Sequence, residues 1–219
     1  MGRERQELFR ESNTKDKERI IVLAFEGNDT EEIYFSALKD CMYFNDELIY
    51  LHILKRPKTD TNSAPKHVFA KLKSEAKDKY NFGVQDELWM IIDTDRWKNL
   101  REIVNQCKTA GGMYVAISNP CFEIWLLMHV SDFSRFSEEE KLAILKNKKQ
   151  GNRRHLEKLL VGALGSFNKS NFETDLLLPN IHKAIFQGKV LDSALEEIPG
   201  GIGSHVYKVV EKLIIQPTN

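Results

Sequence analysis

Four apolar runs, Ile20–Phe25, Leu48–Leu54, Leu88–Asp93 and Met113–Ser118, alternate with stretches of helical spacing, and this alternation leaves few folds open to the chain. Strands that read as near-continuous apolar runs are buried on both faces, as in a parallel sheet with helices packed on either side. Between them, Thr30–Met42 has helical spacing through Ile33, Phe35, Ala37 and Leu38. Pro65–Tyr80 starts with proline in a favourable first-turn position, and Leu100–Ala110 stops at Gly111-Gly112. The spacing predicts an α/β fold with a mainly parallel four-stranded sheet flanked by helices.

After Ser118 the strand signal vanishes. Asn119 is placed to cap a helix with Pro120 at its first position, running through Ile124, Leu126, Leu127 and Met128. Further helices are expected near Ser137–Lys148, Asn152–Leu164, Asn180–Gln187 and Ser204–Ile214. Three parts result: a charged N-terminal arm over 1–18, an α/β domain over 19–130, and a helical C-terminal region over 131–219 packed on it.

A chain of 219 residues buries enough surface to stand without disulfides. Its cysteines, Cys41, Cys107 and Cys121, form no CxxC pair, which disfavours a zinc knuckle and fits reduced thiols. Lysine plus arginine and aspartate plus glutamate number 32 each, so the net charge is zero and a general electrostatic nucleic-acid binder is disfavoured. The apolar runs fall far short of the ~18 residues of a membrane span. Met1–Arg19 is dense in both charge signs and lacks the apolar segment of a signal peptide. A soluble, cytoplasmic protein without a membrane partner is expected.

The chemistry is suggested by what ends the strands. Glu26 closes the first run, Asp93-Thr94-Asp95 closes the third, and Glu123 follows the fourth by a few residues. In open parallel sheets, ligands bind beyond the carboxyl ends of the strands. Carboxylates gathered there repel each other unless a cation intervenes, and oxygen-only ligands suit Mg²⁺ or Mn²⁺. An acidic residue after a strand can equally serve a helix start. Thr30 as N-cap, with Glu31 and Glu32 in the first turn, accounts for Glu32 in this way but leaves Glu26 unexplained. Glu123 would be favoured by a helix dipole, yet in the apolar setting Cys121-Phe122-Glu123-Ile124-Trp125 a buried carboxylate needs a metal or a basic partner. His129 lies off the Glu123 face and reads as a core or surface histidine. Histidines 52, 67, 155, 182 and 205 show no ligand spacing.

A basic cluster, Lys141, Lys146, Lys148, Lys149, Arg153, Arg154 and Lys158, is opposed within its span only by Glu157. Such runs are commonly solvated helix faces. On a neutral protein they can also hold a phosphate backbone, with Lys146, Lys148, Lys149, Arg153 and Arg154 as the nucleic-acid contacts. Lys55, Arg56 and Lys58 would add to this field.

Phe25-Glu26-Gly27-x-x-Thr30-Glu31-x-x-Tyr34-Phe35, then Asp93-x-Asp95, then Ser118-Asn119-Pro120-Cys121-Phe122-Glu123-Ile124-Trp125-Leu126-Leu127-x-His129, resemble the RloB family. The later Ile198-Pro199-Gly200 and Val206-Tyr207-Lys208-Val209-Val210-Glu211 are similar to that family's ending. The resemblance spans about 20 to 213, and the Asn-Pro-Cys-Phe-Glu block is its most specific part. It implies a TOPRIM-like, Mg²⁺-dependent nuclease fold. Glu26, Asp93 and Asp95 would be the catalytic and metal-binding acids, and Glu123 and Glu31 further acidic positions. It also implies an ABC/AAA-type ATPase partner in antiphage defence, the chain being the toxic effector acting on RNA, tRNA or DNA.

Two other functions compete: a non-catalytic interaction module for the ATPase, and a nucleotide-sugar transferase whose Asp-x-Asp holds a metal–diphosphate. A haloacid-dehalogenase-like phosphatase would need aspartate where Glu26 stands. The absence of GxGxxG and GxxxxGK[ST] disfavours dinucleotide or P-loop nucleotide binding. A homo-oligomer, through a sheet edge or the helical half, is left open.

Overall fold

The computed structural model describes residues 17–27, 29–55, 64–79, 82–94, 99–192 and 194–216. Asp95, Arg56, Lys58 and the charged arm up to residue 16 lie outside the described residues. The first half alternates as expected: β1 (Arg19–Phe25), α1 (Thr30–Asp40), β2 (Ile49–Ile53), α2 (Pro65–Lys79), β3 (Glu87–Asp93), α3 (Leu100–Ala110) and β4 (Met113–Asn119). Then come α4 (Glu123–Val130), α5 (Glu138–Lys146), a hairpin of β5 (Lys149–Gln150) and β6 (Arg153–Arg154), α6 (His155–Leu164), α7 (Ile181–Leu191), β7 (Gly203–Ser204) and α8 (Val206–Leu213).

The main sheet runs β2-β1-β3-β4-β7. β1 to β4 are mutually parallel, and β7 is antiparallel to the end of β4. The sheet therefore has five strands where the apolar runs predict four. A two-residue strand of glycine and serine is too short to show an alternation, and tertiary contacts bring it to β4. The Ser118 and Ser204 hydroxyls lie 2.9 Å apart across that pair.

Side chains alternate across the sheet with the strand period of two. Ile21, Leu23, Phe25, Trp89 and Ile91 enter one apolar cluster with α1, α4, α6, α7 and α8. Ile20, Val22, Ala24, Met90 and Ile92 enter the other with α2 and α3. Each fully buried aliphatic side chain contributes roughly 1.5–3 kcal/mol. The first cluster is continuous across residue 130, so the later helices share a core with the sheet. α4 is buried from Glu123 to His129. Being apolar on nearly every side, it lies inside the molecule rather than on its surface. No helix among the described residues is long and apolar enough to cross a membrane.

Three local expectations change. Asn119 does not cap a helix: it ends β4, its amide donates to the Pro199 carbonyl at 2.7 Å, and its side-chain oxygen accepts from Thr94 Oγ1 at 2.8 Å. Those bonds occupy the groups a cap would use, and α4 starts only at Glu123. Asn152 belongs to the hairpin turn, beside Gly151 at φ 68°, so α6 begins at His155. Thr30 is the first residue of α1 rather than its cap, because its hydroxyl donates to the Lys169 carbonyl at 3.1 Å.

Candidate metal site at the carboxyl edge of the sheet

Glu26 directly follows β1, Asp93 ends β3 and Glu123 opens α4, so two parallel strands and the helix after β4 bring all three to one edge of the sheet. They line one cavity of about 270 Å³ with Glu31, Asp29 and Lys169. Glu26 is buried and Asp93 partly so. The Asp93 N–H donates to Glu26 Oε2 at 3.1 Å, and the Glu26 N–H to the Ile91 carbonyl at 3.0 Å. These bonds tie the end of β1 to the end of β3.

Glu31 enters the same cavity because it shares a helical stripe with Tyr34, Phe35 and Leu38, at spacings of three, four and seven. The stripe that buries α1 against the sheet thus buries a carboxylate at its amino end. Glu31 Oε1 accepts the Gly27 N–H at 3.2 Å. A Cβ at Gly27 would stand 2.6 Å from Glu31 Oε1, so any larger residue there must push the Glu31 carboxylate aside. Burial, with the Glu123 and Glu26 charges adding to it, pushes the Glu31 carboxyl up to about 7. Glu32, on the outer side of the helix, pairs with Lys55 at 3.0 Å.

Glu123 has the basic partner that its apolar setting requires. Lys169 reaches in from the segment between α6 and α7 and forms an ion pair with it, with Glu157 Oε1 a further 3.6 Å contact of the same ammonium. Burial alone would raise the Glu123 carboxyl, but Lys169 and the Cys121 thiol hold it below its ordinary value. Burial likewise works against the Lys169 charge, and Glu123 overcomes it and raises Lys169. The Cys121 thiol is driven well above its usual range by burial and by the Glu123 and Asp93 charges.

Lys169 is held from both sides. Phe167 and Phe172 are buried in the larger core, with ring centroids 5.3 Å apart. Thr30 binds the Lys169 carbonyl, Ser170 Oγ donates to Asp29 Oδ2 at 2.9 Å, and Arg153 donates to the Phe167 carbonyl at 2.9 Å. Lys169, Ser170, Asp29 and Thr30 were not among the site residues expected from sequence. No spacing links position 169 to position 123, so for Lys169 the sequence carries only the demand that Glu123 have a partner. Glu31 did carry a signal, its register with Tyr34, Phe35 and Leu38.

The basic residues lie on the hairpin between α5 and α6 and on the two helices that flank it. Lys146, Lys148, Lys149 and Arg153 are exposed, and Arg154 is partly buried. The hairpin is attached to the acidic cavity through Arg153 and through buried Asn147, whose amide donates to Cys121 Sγ at 3.3 Å while its oxygen accepts the Leu156 N–H at 3.0 Å. Lys141 pairs with Glu138, and Lys158 donates to Gln150, so these two serve local structure. His129 is a core histidine. Its Nδ1–H donates to the Trp125 carbonyl at 2.9 Å, which leaves Nε2 to accept from the Tyr34 hydroxyl at 3.1 Å. Burial lowers it to about 4.

The cavity's acidic donors are oxygens, which suits a hard divalent cation, and the Lys169 ammonium on Glu123 shows that the cavity accepts positive charge. Among the described residues, no three His, Cys, Asp or Glu side chains are gathered tightly enough to hold an ion. Glu26 and Asp93 are the two expected ligands described on adjoining strands, and Asp95 lies outside the described residues.

A family model described as RloB-like protein matches residues 21–213. No curated protein and no solved structure matches the chain.

Proposed function

The chain belongs to the RloB-like protein family, and from that premise we propose that it is a Mg²⁺- or Mn²⁺-dependent nuclease of the TOPRIM kind. The observation that carries the reading is the meeting of Glu26, Asp93, Glu31 and Glu123 in one cavity at the carboxyl edge of a parallel sheet. Glu26, Asp93 and Asp95 would hold the ion, and Glu123, ion-paired with Lys169, would stand as a further carboxylate on the α4 side. A bound Mg²⁺ would polarise a phosphate and lower the pKa of a water molecule beside it. The chain's own residues do the rest. Glu26, whose Oε2 accepts the Asp93 N–H, would bind the ion or act as general acid/base. The buried strands keep these carboxylates at a fixed separation. Lys146, Lys148, Lys149, Arg153 and Arg154 guide the phosphate backbone of RNA, tRNA or DNA towards the cavity.

In the biological setting that the family implies, this nuclease is a cytoplasmic toxic effector of antiphage defence, controlled by an ABC/AAA-type ATPase. Purified chain incubated with total RNA and with plasmid, in Mg²⁺, with and without such an ATPase, tests the activity. Cleavage that disappears in Asp93→Ala supports the reading, and cleavage that persists in that variant overturns the site. A second reading, a non-catalytic module that binds the ATPase, is favoured by the lack of any gathered three-ligand group among the described residues. Toxicity that survives the Glu26→Ala, Asp93→Ala double change would select it.

A further inference from the structure

We propose that the outer edge of β2 is a dimer interface, on which a second copy of this chain lays its own β2 antiparallel and joins the two five-stranded sheets into one. This pairing uses neither the acidic cavity nor a metal.

β2 ends the main sheet, and among the described residues no strand pairs with its outer side. Its register with β1 runs without a slip from Arg19 beside Ile49 to Leu23 beside Ile53, so no bulge twists it away. The segment Ile49-Tyr50-Leu51-His52-Ile53 also holds no proline, lysine or acid, the residues that usually blunt such an edge. Backbone groups alternate in direction along a strand. The Arg19 N–H donates to the Leu48 carbonyl at 3.1 Å and the Leu54 N–H to the Leu23 carbonyl at 2.8 Å, so even-numbered residues of β2 turn their backbones to β1. Ile49, Leu51 and Ile53 therefore turn theirs outward. Beside them a groove of about 540 Å³ lies between Leu51–Lys55 and the end of α1 at Ser36, Lys39 and Asp40. The Asn45 carbonyl accepts the Ile49 N–H at 3.1 Å, which leaves the Ile49 carbonyl and both groups of Leu51 and Ile53 to a partner. A twofold axis through Leu51 supplies one. Leu51 then meets the partner's Leu51, and the Ile53 N–H reaches the partner's Ile49 carbonyl. Charge favours a second copy as the occupant. Asp46 and Glu47 precede β2 and Lys55 follows it, all three exposed, so an antiparallel copy sets each acidic end against the partner's Lys55. Lys55 pairs with Glu32 at 3.0 Å but is 76% exposed, and so weak a surface pair leaves it able to turn to a new acid. Leu48, 41% exposed beside Glu47, is covered by the same contact. Twofold symmetry also closes the assembly at two chains, so the edge is used up rather than left to propagate.

Sedimentation equilibrium of the full chain, without nucleic acid or metal, tests this apart from any cleavage. Wild type is expected to sediment as a dimer. Ile53→Pro removes an outward N–H that β1 does not use, and is expected to weaken the dimer about a hundredfold. Glu47→Lys and Lys55→Glu each place like charges together at both ends of the joint, and each is expected to weaken it about tenfold. Mixed in equal amounts, these two charge variants are expected to recover wild-type affinity as a heterodimer, because each supplies the charge the other lacks. Circular dichroism checks that every variant keeps its fold, and the two exposed charge changes decide the matter if Ile53→Pro does not fold. A monomeric wild type overturns the inference and leaves the edge to an extended segment of another protein. A dimer that none of these changes weakens, or charge variants that stay apart when mixed, overturns it as well.

Discussion

The two edges of the sheet carry similar numbers of buried acids and use them differently. At the amino edge, Asp86 accepts the Ile20 N–H and the Gly83 N–H, each at 2.7 Å. Beside it Glu87 accepts from Trp89 Nε1 at 2.7 Å and pairs with Lys212 at 2.6 Å. The Asp86 and Lys212 contacts tie a loop, a strand or a helix to its neighbour, and the Trp89 contact lies within β3. At the carboxyl edge, Glu26, Glu31 and Glu123 are just as buried, yet they converge with Asp93 on a cavity, where the Glu123 and Glu26 charges add to the burial that raises Glu31. Burial of an acid therefore does not by itself mark a site. Convergence on open space marks it, together with a cation supplied from far along the chain.

The sharpest test of this contrast is to remove one acid from each edge. Glu26→Ala should lower Mg²⁺-dependent cleavage about 10²–10³-fold, the loss typical of one preorganised electrostatic contact. Its melting midpoint should barely move, since the lost hydrogen bond is offset by relief of repulsion from Glu31. A large fall in melting temperature would make Glu26 a structural acid like Asp86. Asp86→Ala should do the reverse. It strands two backbone N–H groups and should cost about 2 kcal/mol in denaturant unfolding, with Mn²⁺ uptake by the folded protein unchanged. Altered uptake there would end the division between edges.

Gly27→Ala is a smaller perturbation. The added Cβ would press on the Glu31 carboxylate, and since that side chain can yield, a cost of about 1 kcal/mol is expected from overpacking. Unchanged stability and unchanged Mn²⁺ affinity together would show that Glu31 is not held against this turn. The smallest effect is a slope with pH. Glu31 binds its proton more tightly when folded, at about 7 against an ordinary 4.5. Stability from this group is then complete below about pH 4.5 and is lost as pH rises through about 7, by no more than about 1.4 kcal/mol per pH unit. Denaturation measured in chelator across that window should show a flatter profile for Glu31→Gln. Identical profiles would assign the slope to another group.

Much of the fold was legible. The runs Ile20–Phe25 and Leu88–Asp93 become β1 and β3 to within a residue, because a strand buried on both faces must be apolar throughout. The charged stop after each run placed Glu26 and Asp93 at the edge where they are found. The hairpin at Lys149–Arg154 and the edge strand Gly203–Ser204 were not legible, since two-residue strands have no period to read. Asn119-Pro120 had the composition of a helix start, but the bonds to Thr94 and Pro199 drew Asn119 into the sheet. Glu31 was half legible: the helix was foreseen, and the stripe it shares with Tyr34, Phe35 and Leu38 was there to be followed inward.

The sequence by itself determined the α/β alternation, the parallel core strands and the delivery of Glu26 and Asp93 to one edge. These follow from the periods of side-chain direction along a strand or helix, which are local. It also determined that Glu123, set among apolar neighbours, would need a partner of opposite charge. Only the tertiary structure decided that this partner is Lys169, 46 positions later by sequence number. The pairing depends on how the segment bearing Phe167 and Phe172 closes over α1 and α4, and a contact between distant segments leaves no period in the chain.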